Sequence, residues 1–288
     1  MFRFLSRRRT PEPTPENEPS IHEVLLFARP SDVLWRWARS KYLNEVLPDL
    51  ALLGDVSQLP AHKDNALIHT LKVIDAIEPT PIRRWAAMLH DIGKGPTFIE
   101  TPEGRSRFFE HDRFGAEMAP EIMEAASADP ELIDPVRRLV SLHMRPISYS
   151  SEWTDGAVRR LREDTEETRG EAGWHDLIAL SRADLRGYMP EPIDRGLWVL
   201  DSLEAHAWRL DEESKREAEA RAREPHSHLD GNQILGLSDR AAGAWIGELK
   251  NYLQAQVEAG QLEQEDVVGA EEMAREWLAV NHEPDGPQ

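Results

Sequence analysis

The chain has 288 residues, a formal net charge of -19 and no cysteine. Without thiols there are no disulfides and no thiolate-held metals, so any metal must sit on His, Asp and Glu. No run approaches the roughly 18 apolar residues that span a bilayer, and the acidic balance opposes extended binding to a phosphate backbone, which needs Lys and Arg to displace counterions. The same charge also serves plain solubility. With no apolar leader in Met1–Arg9, these features predict a globular cytoplasmic protein of one or two domains and no membrane partner.

Residues 1–20 carry four arginines, then Pro11, Pro13, Pro15 and Pro19, and are expected to be a disordered tail. Helical periodicity begins at Ile21 and breaks at Pro30, where Ser31 or Asp32 is expected to cap a helix bearing Leu34 and Trp37. A polar loop around His62 leads to Asn65, the expected cap of a helix with Leu67, Ile68, Leu71 and Ile74 on its apolar face and His69 beside them. The run Ile82, Trp85, Ala86, Leu89 then reaches Met88-Leu89-His90-Asp91-Ile92-Gly93-Lys94-Gly95-Pro96. Here the glycines are expected to turn the chain through left-handed or extended dihedrals, and Pro96 to end the helix.

Thr97–Arg107 reads as a small hairpin or lid. Helices then follow from Glu110-His111-Asp112, from Asp129-Pro130 to His143, and from Thr154-Asp155. The next, Trp174–Leu185, carries Asp184 near its end, where an acid opposes the helix dipole and calls for a buried cation or metal. A long helix from Ile193 to Arg223 turns densely charged after Asp211. Pro225–Gly231, with His226 and His228, reads as a polar linker, and helices are expected over Asp239–Val257 and Asp266–Val280. The chain is expected to be all-α, with a tail (1–20), a main domain (21–210), and a charged helix, linker and small C-terminal helical domain (211–288).

His-Asp occurs three times, at His90-Asp91, His111-Asp112 and His175-Asp176, so the dipeptide alone is as compatible with a helix cap or surface pair as with a site. The wider set carries more. His69, His90, Asp91, His111, His143 and Asp184 are spaced by helix-plus-loop units, and antiparallel helices can bring them to one end of a bundle. Neutral imidazoles and carboxylates suit Mn, Fe, Co, Zn, Ni or Mg better than calcium. Six such groups exceed one tetrahedral site, so one or two ions are expected, two if Asp91 bridges them.

In its order His69…His90-Asp91…Asp184 the chain resembles the HD superfamily of metal-dependent phosphohydrolases. It is most similar to the HD-bearing half of bacterial tRNA nucleotidyltransferases. Further shared stretches are His62-Lys63-Asp64, Phe109-Glu110-His111-Asp112, Leu139–His143, Trp153–Arg160, Arg182-Ala183-Asp184 and Leu229–Ile234. The resemblance implies an HD-domain helical bundle in which His69, His90, Asp91 and Asp184 are metal ligands. His111 and His143 would serve a second metal or the phosphate, Lys94 would stabilise phosphoryl charge, and His62 and Arg145 would contact substrate phosphate.

Nothing before His62 offers the Gly-Ser or Gly-Gly pair and Asp-x-Asp of those enzymes' nucleotidyltransferase head, so nucleotide addition is not expected. The expectation is hydrolysis of a phosphomonoester or cyclic phosphodiester of a nucleotide or RNA end by a metal-activated water, with a small phosphorylated or nucleotide substrate. The alternatives are a non-catalytic module binding tRNA, an RNA 3′ end or a partner protein, and a regulatory domain that senses a nucleotide. An intact Lys94 beside the full ligand set favours chemistry.

Overall fold

The computed structural model describes residues 17–57, 64–101, 106–188, 193–223 and 229–281. His62, His226, His228 and most of the expected tail therefore lie outside the described residues. The chain opens with α1 (Ile21–Leu25), α2 (Pro30–Ser40), α3 (Leu43–Val46) and α4 (Pro48–Leu52), followed by α5 (Ala66–Ala76), α6 (Pro81–Leu89) and α7 (Lys94–Thr97). A two-stranded antiparallel hairpin, β1 (Phe98–Glu100) and β2 (Ser106–Phe108), precedes α8 (His111–Ala125), α9 (Pro130–Leu142), α10 (Met144–Ile147), α11 (Asp155–Glu166) and α12 (Glu171–Gly187). Then come α13 (Asp194–Arg223), α14 (Gly231–Gly236), α15 (Trp245–Glu258) and α16 (Val267–Val280). The fold is all-α, a helical bundle with a small C-terminal helical part. No described helix is long and apolar enough to cross a membrane.

Contacts divide the chain into two compact units, Met1–Leu210 and Asp211–Gln288, with the boundary inside α13. In the first, α5 packs on α12 and α2, α8 lies against α9, and α6 contacts α9, α12 and α5. Its core is filled by large side chains with almost no exposure, among them Trp37, Trp85, Ile74, Met88, Leu89 and Met123. The second unit closes over Leu229, two residues before α14, and Ile234, Leu249, Leu253, Ala274 and Leu278 from α14, α15 and α16.

Local chemistry explains most of the helix starts. The Asn65 side chain accepts from the Ile68 amide at 2.9 Å, and its own amide donates to the Gly54 carbonyl at 2.7 Å, tying α5 to the loop before it. Asp129 with Pro130 starts α9, and Thr154 caps α11, as the spacing predicts. Losing both Asn65 bonds in Asn65→Ala is expected to cost about 1–2 kcal/mol of stability, read as a lower midpoint in urea.

Three expectations are corrected. Ser31 and Asp32 do not cap α2, which starts at Pro30 with no side-chain cap; Ser31 instead donates from its amide and hydroxyl to Asp75 on α5. The helix from Pro130 does end as expected, at Leu142 with His143 as its C-cap, and the separate short α10 follows. Residues 239–244 are bends with a turn at 244, so α15 starts at Trp245. Pro96 sits inside the short α7, a first-turn position where its missing N–H has no helical partner to lose.

Candidate metal centre

Three imidazoles are held in the same way. His90, His111 and His143 each donate Nδ1–H to a backbone carbonyl three residues earlier: Ala87 at 2.8 Å, Phe108 at 3.0 Å and Val140 at 2.7 Å. That bond commits Nδ1 as a donor and turns the Nε2 of each ring to the other side, toward the cluster. These three Nε2 atoms are buried and have no hydrogen-bond partner among the described residues. A buried acceptor without a partner costs free energy unless something else binds it.

Asp91 sits between them. Its Oδ2 faces His90 Nε2 at 3.2 Å and His69 Nε2 at 3.7 Å; its Oδ1 faces His111 Nε2 at 3.5 Å and His143 Nε2 at 3.8 Å. Asp184 Oδ1 lies 2.9 Å from His69 Nε2 and 3.6 Å from His90 Nε2. The donor atoms thus fall into two groups, His69–His90–Asp184 and Asp91–His111–His143, in each of which all lie within 4.8 Å of one another. Ligands about 2.1 Å from one ion stand roughly 3.0–3.4 Å apart at octahedral or tetrahedral angles, close to these separations. The residues fit a divalent cation, and the carboxylate of Asp91 offers one oxygen to each group.

The electrostatics ask for positive charge. Burial alone would lower the His90 pKa, but the Asp91 and Asp184 carboxylates override it and push it up to about 10. His143 goes the other way, pulled down to about 4 by burial and by the charge on His90. Burial works to raise both carboxyls, yet His90 and Lys94 hold Asp91 well below the usual range, and His69 and His90 do the same for Asp184. The Lys94 ammonium, itself buried, donates to Asp91 Oδ2 at 2.6 Å. Two buried carboxylates therefore hold a positive charge on His90, and a metal ion can take the place of that proton.

Close backbone approach makes this cluster possible. Gly93 has ordinary right-handed helical dihedrals (φ -67°), which corrects the expectation of an unusual turn; neither Gly93 nor Gly95 has positive φ. A Cβ on Gly93 would lie 2.0 Å from the His111 carbonyl oxygen and 2.6 Å from the Gly115 amide, so glycine is needed to seat His90-Asp91 against the start of α8. Gly187 does the same for α5 and α12, where a Cβ would stand 2.8 Å from His69 Cε1 and 2.7 Å from Val73 Cγ2. Gly187→Ala is therefore expected to shift the His69 ring and weaken metal affinity by about 10- to 100-fold, measured by competition with a chromogenic chelator.

The ligand cluster opens into a cavity of about 410 Å³ lined by Asp91, Lys94, His111 and Asp184. Ser106, Arg107, Phe108, Phe109, Met144, Ile147, Leu185 and Tyr188 complete the lining, and none of these eight was singled out from the sequence for the site. Tyr188 follows Asp184 by four positions and stacks on His69 at 4.3 Å, so helical spacing from Asp184 was the available signal for it, whereas Phe108 lies on β2 and had no such signal. Arg145 does not line the cavity. Its guanidinium pairs with Asp164 at 3.0 Å and lies over the Trp153 ring.

Residues 81–186 match the HD domain family. Over that span the chain is similar to HD domains. That span holds His90, Asp91, His111, His143 and Asp184, while His69 on α5 lies just upstream of it. The chain is 29% identical to the A-adding tRNA nucleotidyltransferase of Deinococcus radiodurans over 245 residues, 82% of this chain and 51% of that protein. It is also 29% identical to the CC-adding tRNA nucleotidyltransferase of Thermus thermophilus over 286 residues, 96% of this chain and 59% of that protein. The Multifunctional CCA protein of Cupriavidus necator matches at 28% over 168 residues, 57% of this chain and 40% of that protein. The chain thus spans about half the length of these curated relatives. The HD-like span together with His69 supplies two His and Asp clusters able to hold a metal.

Proposed function

We propose that the protein is a metal-dependent phosphohydrolase acting on a phosphomonoester or cyclic phosphodiester of a nucleotide or RNA end. One observation carries this reading: the two Asp91 oxygens each face a pair of buried His Nε2 atoms. His69, His90 and Asp184 would hold one ion, His111 and His143 a second, with Asp91 shared. Bound divalent ions would supply charge stabilisation to the phosphoryl group and lower the pKa of water from about 15.7 toward ~7. The protein's own groups do the rest. Nδ1 bonds to backbone carbonyls keep three imidazoles aimed inward, and Lys94 brings a buried positive charge beside Asp91 to meet phosphoryl oxygens. Apolar walls from Phe108, Ile147 and Leu185 exclude water around the reacting group. In this reading residues 21–210 are the hydrolase domain of a cytoplasmic enzyme, and 211–288 are an accessory helical part.

The test is phosphate release from 2′-, 3′- and 5′-nucleotides and 2′,3′-cyclic nucleotides with Mn, Ni, Co or Mg. Turnover that needs the metal supports the reading. A second reading, a non-catalytic tRNA- or partner-binding module, is favoured by the names of the relatives. It predicts no turnover and tRNA binding that weakens steeply with salt.

A further inference from the structure

Among the described residues, one face of the cavity has no role in holding a metal or a phosphate. Phe109 lies in the turn between β2 and α8, two residues before His111, and is 58% exposed at the cavity lip. It supports no core. The Arg107 guanidinium lies over its ring, 5.9 Å from the centroid. Behind them Phe108 is half-buried, packed on Phe98 at 5.9 Å with the Lys94 ammonium 5.3 Å from its ring centroid. In the hairpin Phe98 pairs with Phe108 and Ile99 with Arg107, and Arg107, Phe108 and Phe109 all line the cavity. The lip therefore offers a flat aromatic surface and a planar cation beside a phosphate-sized cationic position, Lys94.

Resting on the phosphoester reading above, we infer that Phe109 and Arg107 are the specificity-determining residues, a stacking platform for an unpaired nucleobase whose phosphate reaches Lys94 and the ligand cluster. Aromatic rings and guanidinium planes hold splayed-out bases by stacking without regard to their sequence. A cavity of about 410 Å³ is in the range of small-molecule sites, so the platform accepts one nucleotide or a single-stranded end and rejects a paired base. Phosphoesters that lack a planar ring have nothing to stack and bind weakly.

The test uses 2-aminopurine riboside 5′- and 3′-monophosphates, whose fluorescence falls on stacking, titrated into full-length magnesium-loaded protein. Wild type is expected to quench them, Phe109→Ala to weaken binding about tenfold, and Phe109→Tyr to restore it. Ribose 5-phosphate should compete far more weakly than adenosine 5′-monophosphate. Absence of quenching in wild type, or equal affinity of wild type and Phe109→Ala, overturns the inference. Phosphate release is read separately on the same samples: quenching without release supports the platform and removes the hydrolase reading.

Discussion

Asp91→Ala is expected to lose both bound metal and turnover. The carboxylate is the one group that faces all four buried imidazoles, with Oδ2 toward His69 and His90 and Oδ1 toward His111 and His143. Removing it takes a ligand from both groups of donors and leaves the Lys94 ammonium buried without its 2.6 Å partner. Repulsion between that cation and any metal then opposes loading further. Metal catalysis of phosphoryl transfer is worth several kcal/mol, so the expected loss of turnover is on the order of a thousandfold or more. Asp91→Asn keeps the shape but not the charge and should show nearly the same loss, which separates an electrostatic role from a packing one. Metal content by elemental analysis and turnover with excess Mn check both variants. Retained metal and activity would remove Asp91 from the centre.

The second large effect concerns two glycines that look alike in the sequence and differ in the fold. Gly93→Ala drives a methyl group to 2.0 Å from the His111 carbonyl oxygen and 2.6 Å from the Gly115 amide, both backbone atoms that no rotamer change can move. The α7 turn must lift off α8, at an expected cost of roughly 3 kcal/mol or more, or a fall of about 10 °C in Tm. Because the same lift parts His90-Asp91 from His111, metal affinity should fall with it. Gly95, two residues on, has nothing within 4 Å of its added Cβ. Gly95→Ala, inside a helix, should be neutral or gain up to about 1 kcal/mol. Thermal unfolding of the two variants side by side checks the contrast, and equal stability would contradict it.

Much of this was legible in the sequence because periodicity and caps are local. Asn65, Asp129 and Thr154 mark helix starts by side chains that reach amides two or three residues on. The His and Asp set could be collected because each member sits on a helix or at its end, at spacings that a bundle folds together. Asp184 was further marked by its misfit near a helix C-terminus, which His69 relieves. What was not legible depends on tertiary contact. Whether Gly93 serves an unusual dihedral or a close approach is decided by α8, more than fifteen residues away. Arg145 was a reasonable phosphate contact until Asp164 and Trp153 were seen to hold it elsewhere. Ser31 is a good cap by type, yet Asp75 on α5 takes its hydroxyl. The aromatic lip escaped notice because Phe108 and Phe109 carry no titratable group and gain meaning only beside the ligands.

The most direct test is to strip the wild-type protein of metal with a chelator, reload it stepwise with Mn, and follow phosphate release from nucleotides against bound ion. Release that is absent in the stripped protein and rises as the ions are bound is the predicted result. Full loading with no release from any nucleotide monophosphate or cyclic nucleotide would contradict the hydrolase reading, and would leave the cluster as a structural or signal-binding centre.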